Sequence, residues 1–219
     1  MFPLDPHATW GWLASRLYEV VVTAGAKRLH ELLLTQVPGP IRGEVLEVGA
    51  GAGHTAVLLA RQHPAVRVLG VDSSPDMVRM ARRRARRERL LNLEFQEGNA
   101  LALPFPEGRF DGVLSVASFK HWRSPVQGLR EIHRTLKPGG WMCVVEADRG
   151  ASTETLERFA RNWPWIPPAL FTHGFRDFVT ASSVRLQEAE ALVRQVPFSH
   201  RGVEAWPDMP FWIMRALKP

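Results

Sequence analysis

The sequence has little cysteine and no long apolar run, and each absence excludes a class of protein. Cys143 is the single cysteine among 219 residues. One thiol builds neither an intramolecular disulfide nor a cysteine-based metal site, and its position in the apolar run 141–145 predicts a buried core side chain. No segment offers about 18 uninterrupted apolar residues, and the first residues lack the basic stretch and apolar run of a signal peptide. We therefore predict a cytoplasmic protein without a membrane span.

The sequence also lacks internal repeats, low-complexity segments and linkers, so we expect one domain over residues 1–219. Its composition, 45% hydrophobic and 23% charged, is typical of a globular protein with one sizeable core. The net charge of +6 raises the question of a polyanionic partner. Much of the excess lies in residues 82–89, where Arg-Arg-Arg-Ala-Arg-Arg-Glu-Arg continues a helical pattern. Such a run is typical of a solvated helix face, and nucleic-acid binding is the less favoured interpretation.

Short apolar runs alternate with helical patterns along the chain. The predicted strands are residues 44–48, 66–71, 93–96, 110–115 and 141–146, and the runs 197–203 and 211–217 are expected to form an antiparallel hairpin. The predicted helices are residues 10–34 (one helix or two), 55–62, 76–90, 125–136 and 183–195. Strands separated by helices imply βαβ units, so we predict an α/β fold with a doubly wound, mostly parallel seven-stranded sheet, helices on both faces and an antiparallel edge hairpin.

A glycine-rich turn follows the first predicted strand, where residues 45–55 read Val-Leu-Glu-Val-Gly-Ala-Gly-Ala-Gly-His-Thr. Glycine lets the backbone approach a ligand closely, and the amino terminus of the next helix favours negative or polar groups. In an open parallel sheet this turn lies at the carboxyl end of the strand, where ligands bind. Asp72, at the end of the second strand, adds a carboxylate that can accept hydrogen bonds from both hydroxyls of a ribose.

The spacing of the glycines separates two kinds of cofactor. A dinucleotide site favours G-x-G-x-x-G, whereas this chain has Gly49, Gly51 and Gly53, with His54 in the last place. Glu47 would place a carboxylate near a pyrophosphate, whereas it would attract a cofactor that carries an ammonium and a sulfonium. The charge therefore favours S-adenosylmethionine, and a nicotinamide oxidoreductase is the least favoured alternative.

Five motifs, in this order, resemble those of class I S-adenosylmethionine-dependent methyltransferases. They are Glu47-Val-Gly-Ala-Gly-Ala-Gly53, Val71-Asp72, Gly98-Asn-Ala-Leu-Ala-Leu-Pro-Phe105, Arg109-Phe-Asp-Gly-Val-Leu-Ser115 and Leu136-Lys-Pro-Gly-Gly140. The chain is most similar to the group that includes ubiquinone- and menaquinone-biosynthesis methyltransferases. The resemblance implies a Rossmann-like fold with a helical cap (1–40), a cofactor-binding core (41–147), a substrate cover (148–196) and edge strands (197–219).

The resemblance also implies which residues bind the cofactor. They are Tyr18, Glu47, Gly49, Ala50, Gly51, Gly53, Asp72, Ser73, Met77, Asn99, Ala100, Ser115 and Val116. Glu47 and the glycine turn would hold the methionine moiety, Asp72 the ribose, and Asn99 with Ala100 the adenine. Asn99 stands where the family often has aspartate, but its carbonyl can still accept a bond from the adenine amino group.

Some of these residues have a second interpretation. Tyr18 would reach the cofactor carboxylate or would be a core aromatic, and Met77 would line the adenine pocket or pack in the core. Ser115 and Val116 would back the cofactor. We expect no metal, because the sequence shows no cluster of metal ligands.

Methyl transfer is an in-line displacement in which alignment can contribute about 7 to 11 kcal/mol. A base helps only if the acceptor arrives protonated. His121, after the fourth strand, is the best-placed base, with cofactor covering or packing as the alternative. His173 and His7 are further base candidates or surface residues. Glu146 would orient an acceptor or would be a capping residue on the surface.

The stretch 163–171 is rich in tryptophan, proline and phenylalanine, and Phe175 and Phe178 follow it. This aromatic area, with Trp10 and Trp12 contributing from the other side, suits an apolar or aromatic acceptor, or it packs the cover against the sheet. We predict methyl transfer to a small metabolite. The alternatives are a methyltransferase for RNA or protein, and a cofactor-binding protein of this fold that transfers no methyl group. Residues 115–118 lack the Asn-Pro-Pro-aromatic motif of amino-group nucleic-acid methyltransferases, and the sequence does not predict an oligomeric state.

Overall fold

The structure is a computed structural model, and it describes residues 32–219 apart from the side chain of Phe178. Most of the predicted helical cap therefore lies outside the described residues. The same holds for four residues named above, which are His7, Trp10, Trp12 and Tyr18.

The strands of the described chain form one seven-stranded sheet in the order β3-β2-β1-β4-β5-β7-β6. They are β1 (Glu44–Val48), β2 (Arg67–Asp72), β3 (Leu93–Glu97), β4 (Phe110–Val116), β5 (Leu136–Ala147), β6 (Ser199–Ala205) and β7 (Phe211–Leu217). Strands β1 to β5 pair in parallel, whereas β7 pairs antiparallel with both β5 and β6. The predicted sheet and its antiparallel edge hairpin are confirmed.

Helices cover both faces of the sheet. They are α1 (His54–Gln62), α2 (Pro75–Arg87), α3 (Pro125–Thr135), α4 (Thr153–Ala160), α5 (Pro168–Gly174) and α6 (Leu186–Val193), with a 3-10 helix (Phe119–His121) and a π-helix (Phe175–Thr180). Helix α2 begins as predicted, because the Ser74 hydroxyl accepts a bond from the Met77 N–H and Pro75 occupies the first turn.

Two hydrophobic cores form because neighbouring side chains of a strand point to opposite faces. One core joins alternate strand residues to α1, α2 and α4, and includes Trp141 and Cys143. The other joins the remaining strand residues to α3 and α6, and includes Trp212. Cys143 has no exposed surface, and burial raises the pKa of its thiol to about 12. The predicted core thiol is confirmed.

Several segments differ from the sequence prediction, among them the following. Strand β5 begins at Leu136 rather than at 141, because the Pro-Gly-Gly segment is tied to the chain end by a bond from the Gly139 N–H to the Lys218 carbonyl. Helix α2 ends at Arg87 rather than at 90, because Arg89 has a φ of +53°. Helix α5 and the π-helix occupy a stretch for which no helix was predicted.

The carboxyl ends of β1, β2, β4 and β5 meet along one edge of the sheet, which we call the carboxyl edge. The parallel pairing places Val48 beside Val71 and Val116 beside Val145 at this edge. The loops that leave it carry most of the predicted site residues. The predicted division into a core (41–147) and a cover (148–196) stays a prediction.

Candidate active site

The glycine turn between β1 and α1 is tied to the end of β2. The N–H groups of Gly49 and Ala50 donate to the Val71 carbonyl at 2.8 and 2.9 Å. Gly49, Gly51 and Gly53 have φ values of +71°, +52° and +80°, which side chains rarely tolerate. A Cβ on Gly51 would meet no atom of the protein within 4 Å. The backbone at Gly51 therefore borders open space that a ligand can approach closely.

Asp72 links the end of β2 to this turn. Its Oδ2 accepts a bond from the Gly51 N–H at 2.8 Å, and its Oδ1 accepts one from the Ser74 N–H at 2.9 Å. Burial raises the pKa of Asp72, while the two N–H groups and the nearby charge of His121 act to lower it. Each carboxylate oxygen keeps a lone pair for another donor, so the group can accept two further bonds.

Glu47 lies below the turn and is 2% exposed. Its Oε2 accepts a bond from the Ala56 N–H at 2.9 Å, at the start of α1, and the Thr55 side chain also bonds to the carboxyl group. Burial, and to a smaller extent the charge of Asp72, raise the pKa of Glu47 to about 8, although the bonds from Thr55 and Ala56 act to lower it. The carboxyl group is therefore mostly neutral at pH 7, and a nearby cation would favour its ionised form.

The loop after β4 packs directly on the glycine turn. A Cβ on Gly49 would come within 1.9 Å of Ser118 Oγ, which accepts a bond from Trp122 Nε1 at 3.1 Å. The 3-10 helix follows β4 at the carboxyl edge and carries half-buried His121, whose charge acts to lower the pKa of Asp72.

Glu146 is fully buried near the end of β5 and pairs with a lysine. Its Oε1 lies 2.8 Å from Lys120 Nζ, and its Oε2 accepts a bond from the Lys120 backbone N–H at 3.1 Å. With no exposed surface, Glu146 is not a surface cap, and that interpretation is corrected to a buried ion-pair partner. Its role in orienting an acceptor stays a prediction.

The loop after β3 carries the predicted adenine contacts. Asn99 is exposed, and its Oδ1 accepts a bond from the Leu101 N–H at 2.9 Å. The Gly98 N–H donates to the Asp72 carbonyl at 3.0 Å, which ties this loop to β2. Ala100 is half-buried. Asn99 therefore shapes its own loop and retains amide atoms for a ligand.

The remaining predicted cofactor residues differ in exposure. Ser73 is exposed, and Met77 in the first turn of α2 is 5% exposed. Ser115 has no exposed surface, and its hydroxyl has no hydrogen-bond partner. Val116, on the opposite face of β4, is half-buried and is the one of this pair with surface left for a ligand.

Comparison with known proteins places the chain in a family. Residues 45–140 match a family model described as a methyltransferase domain. A demethylmenaquinone methyltransferase of Symbiobacterium thermophilum is 30% identical over 190 residues, which are 85% of this chain and 72% of the relative. The chain belongs to the class I S-adenosylmethionine-dependent methyltransferases. A second demethylmenaquinone methyltransferase, from Thermus thermophilus, is 37% identical over 120 residues, 55% of this methyltransferase and 52% of the relative.

The chain thus spans about half the length of the first curated relatives that it matches, 52% and 44% of them. The fold also matches a solved structure from Thermotoga maritima, a SAM-dependent methyltransferase described as a possible histamine N-methyltransferase. Its TM-score is 0.68 at 21% identity, with 95% of this chain and 97% of that chain covered. The comparisons confirm the predicted family, fold and cofactor, S-adenosylmethionine.

The aromatic residues of the cover mostly pack on one another. Trp163 stacks on Phe171 with ring centroids 4.9 Å apart, and Phe171 stacks on Phe175 at 5.7 Å. Phe159 joins this cluster to Phe211 of β7 at 5.5 Å. These contacts support the packing interpretation for the rings named here. Two apolar side chains of the cover stay exposed, Trp165 at 64% and Leu170 at 63%.

His173, a candidate base, lies on the surface of the cover. Its side chain is 78% exposed, and its Nε2 lies 3.2 Å from Asp177 of the same helical segment. The alternative interpretation as a surface histidine describes this position.

The arginine run of this methyltransferase lies toward the end of α2, and its Arg84 reaches back to the glycine turn. Arg82 donates to the Phe95 carbonyl at 2.9 Å and Arg84 to the Ala52 carbonyl at 3.0 Å, so these two residues bind the protein itself. The other arginines of the run are exposed, and they are Arg83, Arg86, Arg87 and Arg89. The run is a solvated helix face, as the sequence indicated.

Sequence reasoning missed several residues that shape the site. Ser118 supports Gly49, Lys120 pairs with Glu146, and the Ser74 N–H orients Asp72. Ser74 had a sequence signal only as a helix cap, and the other two had none. Within residues 32–219 no three His, Cys, Asp or Glu side chains are grouped to hold a metal ion. No helix in that range is long and apolar enough to cross a membrane.

Proposed function

We propose that this chain transfers the methyl group of S-adenosylmethionine to a small, apolar or aromatic metabolite. The observation that carries the proposal is the bond from the Gly51 N–H to Asp72 Oδ2, at 2.8 Å. It joins the glycine turn after β1 to the carboxylate after β2, with Glu47 beneath both. Glu47 and the glycine turn suit the methionine moiety of the cofactor, and Asp72 suits its ribose.

The residues present fit the cofactor. The open space at Gly51 admits a ligand against the backbone. Asp72 can accept bonds from two ribose hydroxyls, and Glu47 offers a carboxyl group to a cation. Asn99, Ala100 and Met77 would border the adenine, and Ser73 and Val116 would complete the wall. When bound, S-adenosylmethionine supplies an electrophilic methyl group, and the chain supplies binding and orientation.

His121 is the candidate catalytic residue. It lies beside Asp72 at the carboxyl edge, whereas His173 is exposed on the cover. From that position His121 would take a proton from an acceptor that arrives protonated, or would cover the cofactor if the acceptor needs no base. Replacing it with alanine separates the two roles, because only loss of a base changes the pH profile of turnover.

The proposed acceptor class follows from the cover and from the relatives. The cover (148–196) presents apolar surface, including exposed Trp165 and Leu170, beside the core (41–147). The names of the relatives, demethylmenaquinone methyltransferases, support a small-molecule acceptor. No described feature favours RNA or protein as the acceptor, since the exposed arginines lie toward the far end of α2. A cytoplasmic location stays a prediction of the sequence.

A labelled transfer assay tests the proposal. The protein is incubated with S-adenosylmethionine labelled in its methyl group and with small aromatic and quinone-like acceptors, and label in an organic extract is counted. Asp72→Asn should weaken cofactor binding about 10- to 100-fold, because a hydrogen bond to a charged group contributes about 1.5–3 kcal/mol. Asp111→Asn, at the opposite ends of the strands, is the matched control and should bind normally.

The assay also separates the alternatives. Label in added RNA or protein instead of the organic extract would contradict a small-molecule acceptor. Cofactor binding without transfer to any acceptor would favour a cofactor-binding protein that lacks methyl-transfer activity.

A further inference from the structure

A buried ion pair at the carboxyl edge takes no part in the cofactor contacts proposed above. The side chains of Lys120 and Glu146 are 8% and 0% exposed, and Lys120 Nζ lies 2.8 Å from Glu146 Oε1. Burying two charges costs solvation, and an apolar pair of similar volume is often equally stable. A contribution to stability therefore does not by itself explain an ion pair at this place.

The bonds of the pair converge on one short segment, residues 117–121. Glu146 Oε2 accepts a bond from the Lys120 backbone N–H at 3.1 Å, and Lys120 Nζ donates to the Ala117 carbonyl at 3.1 Å. Glu146 Oε1 also accepts a bond from the Ala147 N–H at 2.9 Å. One carboxylate thus fixes both the backbone and the side chain of Lys120 to the end of β5.

The fixed segment meets the cofactor site at two points. Ser118 lies against Gly49, since a Cβ on that glycine would come within 1.9 Å of Ser118 Oγ. His121, next to Lys120, donates its backbone N–H to the Ser118 carbonyl at 2.9 Å, and its charge acts to lower the pKa of Asp72. A shift of the segment would therefore displace His121 and the support of the glycine turn together.

We propose that the Lys120–Glu146 pair is a positioning device that holds His121 beside the cofactor-binding turn. The inference rests on the proposed function, because it assigns the pair to the cofactor site. Neither partner is among the proposed cofactor contacts, and the pair acts through His121. If the pair were purely structural, its removal would lower the stability of the protein, and the effect on cofactor binding would not depend on His121.

The test is a mutant cycle on the binding of S-adenosylhomocysteine. His121→Ala, the double variant Lys120→Met/Glu146→Gln and the triple variant are compared with the wild type by calorimetry. We expect His121→Ala and the double variant each to weaken binding, the latter about tenfold, and the triple variant to be no weaker than the weaker of the two. Losses that multiply in the triple variant overturn the proposal. An unchanged affinity in either parent does so as well.

The matched control is the Lys137–Asp111 pair, whose charged atoms are 2.6 Å apart. It joins β4 to the first residues of β5, at the end of β5 opposite to Glu146. Lys137→Met/Asp111→Asn should keep the wild-type affinity. An equal loss in this control would show that any ion pair made by β5 has the same effect, and would overturn the positioning role.

A ligand-free measurement separates this inference from the proposed function. The ring NMR signals of His121, identified by their absence in His121→Ala, should shift or broaden in the double variant and stay in place in the control. Unchanged ring signals overturn the inference. If the wild type does not bind S-adenosylhomocysteine, the proposed function fails, and the ring signals still decide whether the pair positions His121.

A second variant covers the case in which the double variant does not fold. Lys120→Met alone keeps the two backbone N–H bonds to Glu146, from Lys120 and Ala147. It removes only the bonds of Lys120 Nζ. We expect Lys120→Met to lose less affinity for S-adenosylhomocysteine than the double variant, and to lose none when His121 is already alanine. An equal loss with His121 and with alanine at position 121 overturns the proposal.

Discussion

Replacing Glu47 by glutamine removes a buried acid whose pKa is raised to about 8. At pH 7 about nine-tenths of such groups carry a proton. A bound cation needs the ionised carboxylate, so cofactor binding at pH 7 should release about 0.9 proton. As the pH increases toward 8, the affinity for the cofactor should increase about tenfold per pH unit. Between pH 5.5 and 7 the increase amounts to about 30-fold.

Calorimetric titration with S-adenosylmethionine in two buffers of different ionisation enthalpy measures the released proton. The range pH 5.5 to 7.5 keeps the amino group of the ligand mostly protonated, since α-amino groups titrate near about 7.7–8.0. Glu47→Gln should bind with little pH dependence and release no proton. Glu44→Gln, at the other end of β1, is the control and should retain the wild-type profile, because Arg109 holds the pKa of Glu44 below its usual value.

The same shift gives a stability prediction for the ligand-free protein. Between pH 4.5, the usual pKa of the group, and about 8, the folded chain binds a proton that the unfolded chain has lost. Stability therefore falls as pH rises through this window, by up to roughly 5 kcal/mol. In urea unfolding, the free energy of unfolding of Glu47→Gln should depend less on pH than that of the wild type.

Two results would contradict the role of Glu47 in the pH dependence of binding. One is a wild-type affinity for S-adenosylmethionine that does not change with pH, and the other is the same pH dependence of affinity in Glu47→Gln.

Other predictions concern the turn, the core and the surface. Gly49→Ala should destabilise the protein more than Gly108→Ala in urea unfolding. Both glycines have a positive φ, which costs an alanine about 1–2 kcal/mol. Only at Gly49 would the added Cβ also clash with the loop after β4. Equal losses would contradict the contact. Trp141→Ala should lower the free energy of unfolding by about 3–5 kcal/mol, because the ring is 2% exposed. Trp165→Ala, 64% exposed, should change it by less than about 0.5 kcal/mol, and a similar loss in both would be inconsistent with their burial. Replacement of three exposed arginines of α2, Arg83, Arg86 and Arg87, by glutamine should leave the affinity for the cofactor unchanged. An altered affinity would contradict their remote position.

The strands of the sheet could be predicted because each is encoded by a short run of apolar residues. Such runs predicted β7 with its observed bounds, Phe211–Leu217, and β1 with its observed bounds, Glu44–Val48. The meeting of the glycine turn and Asp72 was also predictable. Both follow adjacent parallel strands, whose carboxyl ends lie at one edge of the sheet.

The contacts between loops could not be predicted from one sequence. Lys120 and Glu146 are 26 positions apart, and nothing in either local pattern signals the other. The helices of the cover were missed because proline and aromatic residues obscure helical periodicity there. Pro168 lies in the first turn of α5, where proline is tolerated, and stacking of Phe171 and Phe175 holds the segment.

We propose above that the glycine turn and Asp72 bind S-adenosylmethionine. Calorimetric titration of the folded protein with S-adenosylmethionine, with NADH and a short RNA in parallel, tests this binding. We expect one S-adenosylmethionine to bind per chain and neither of the other two ligands to bind. Binding of NADH or RNA with no binding of S-adenosylmethionine would contradict it.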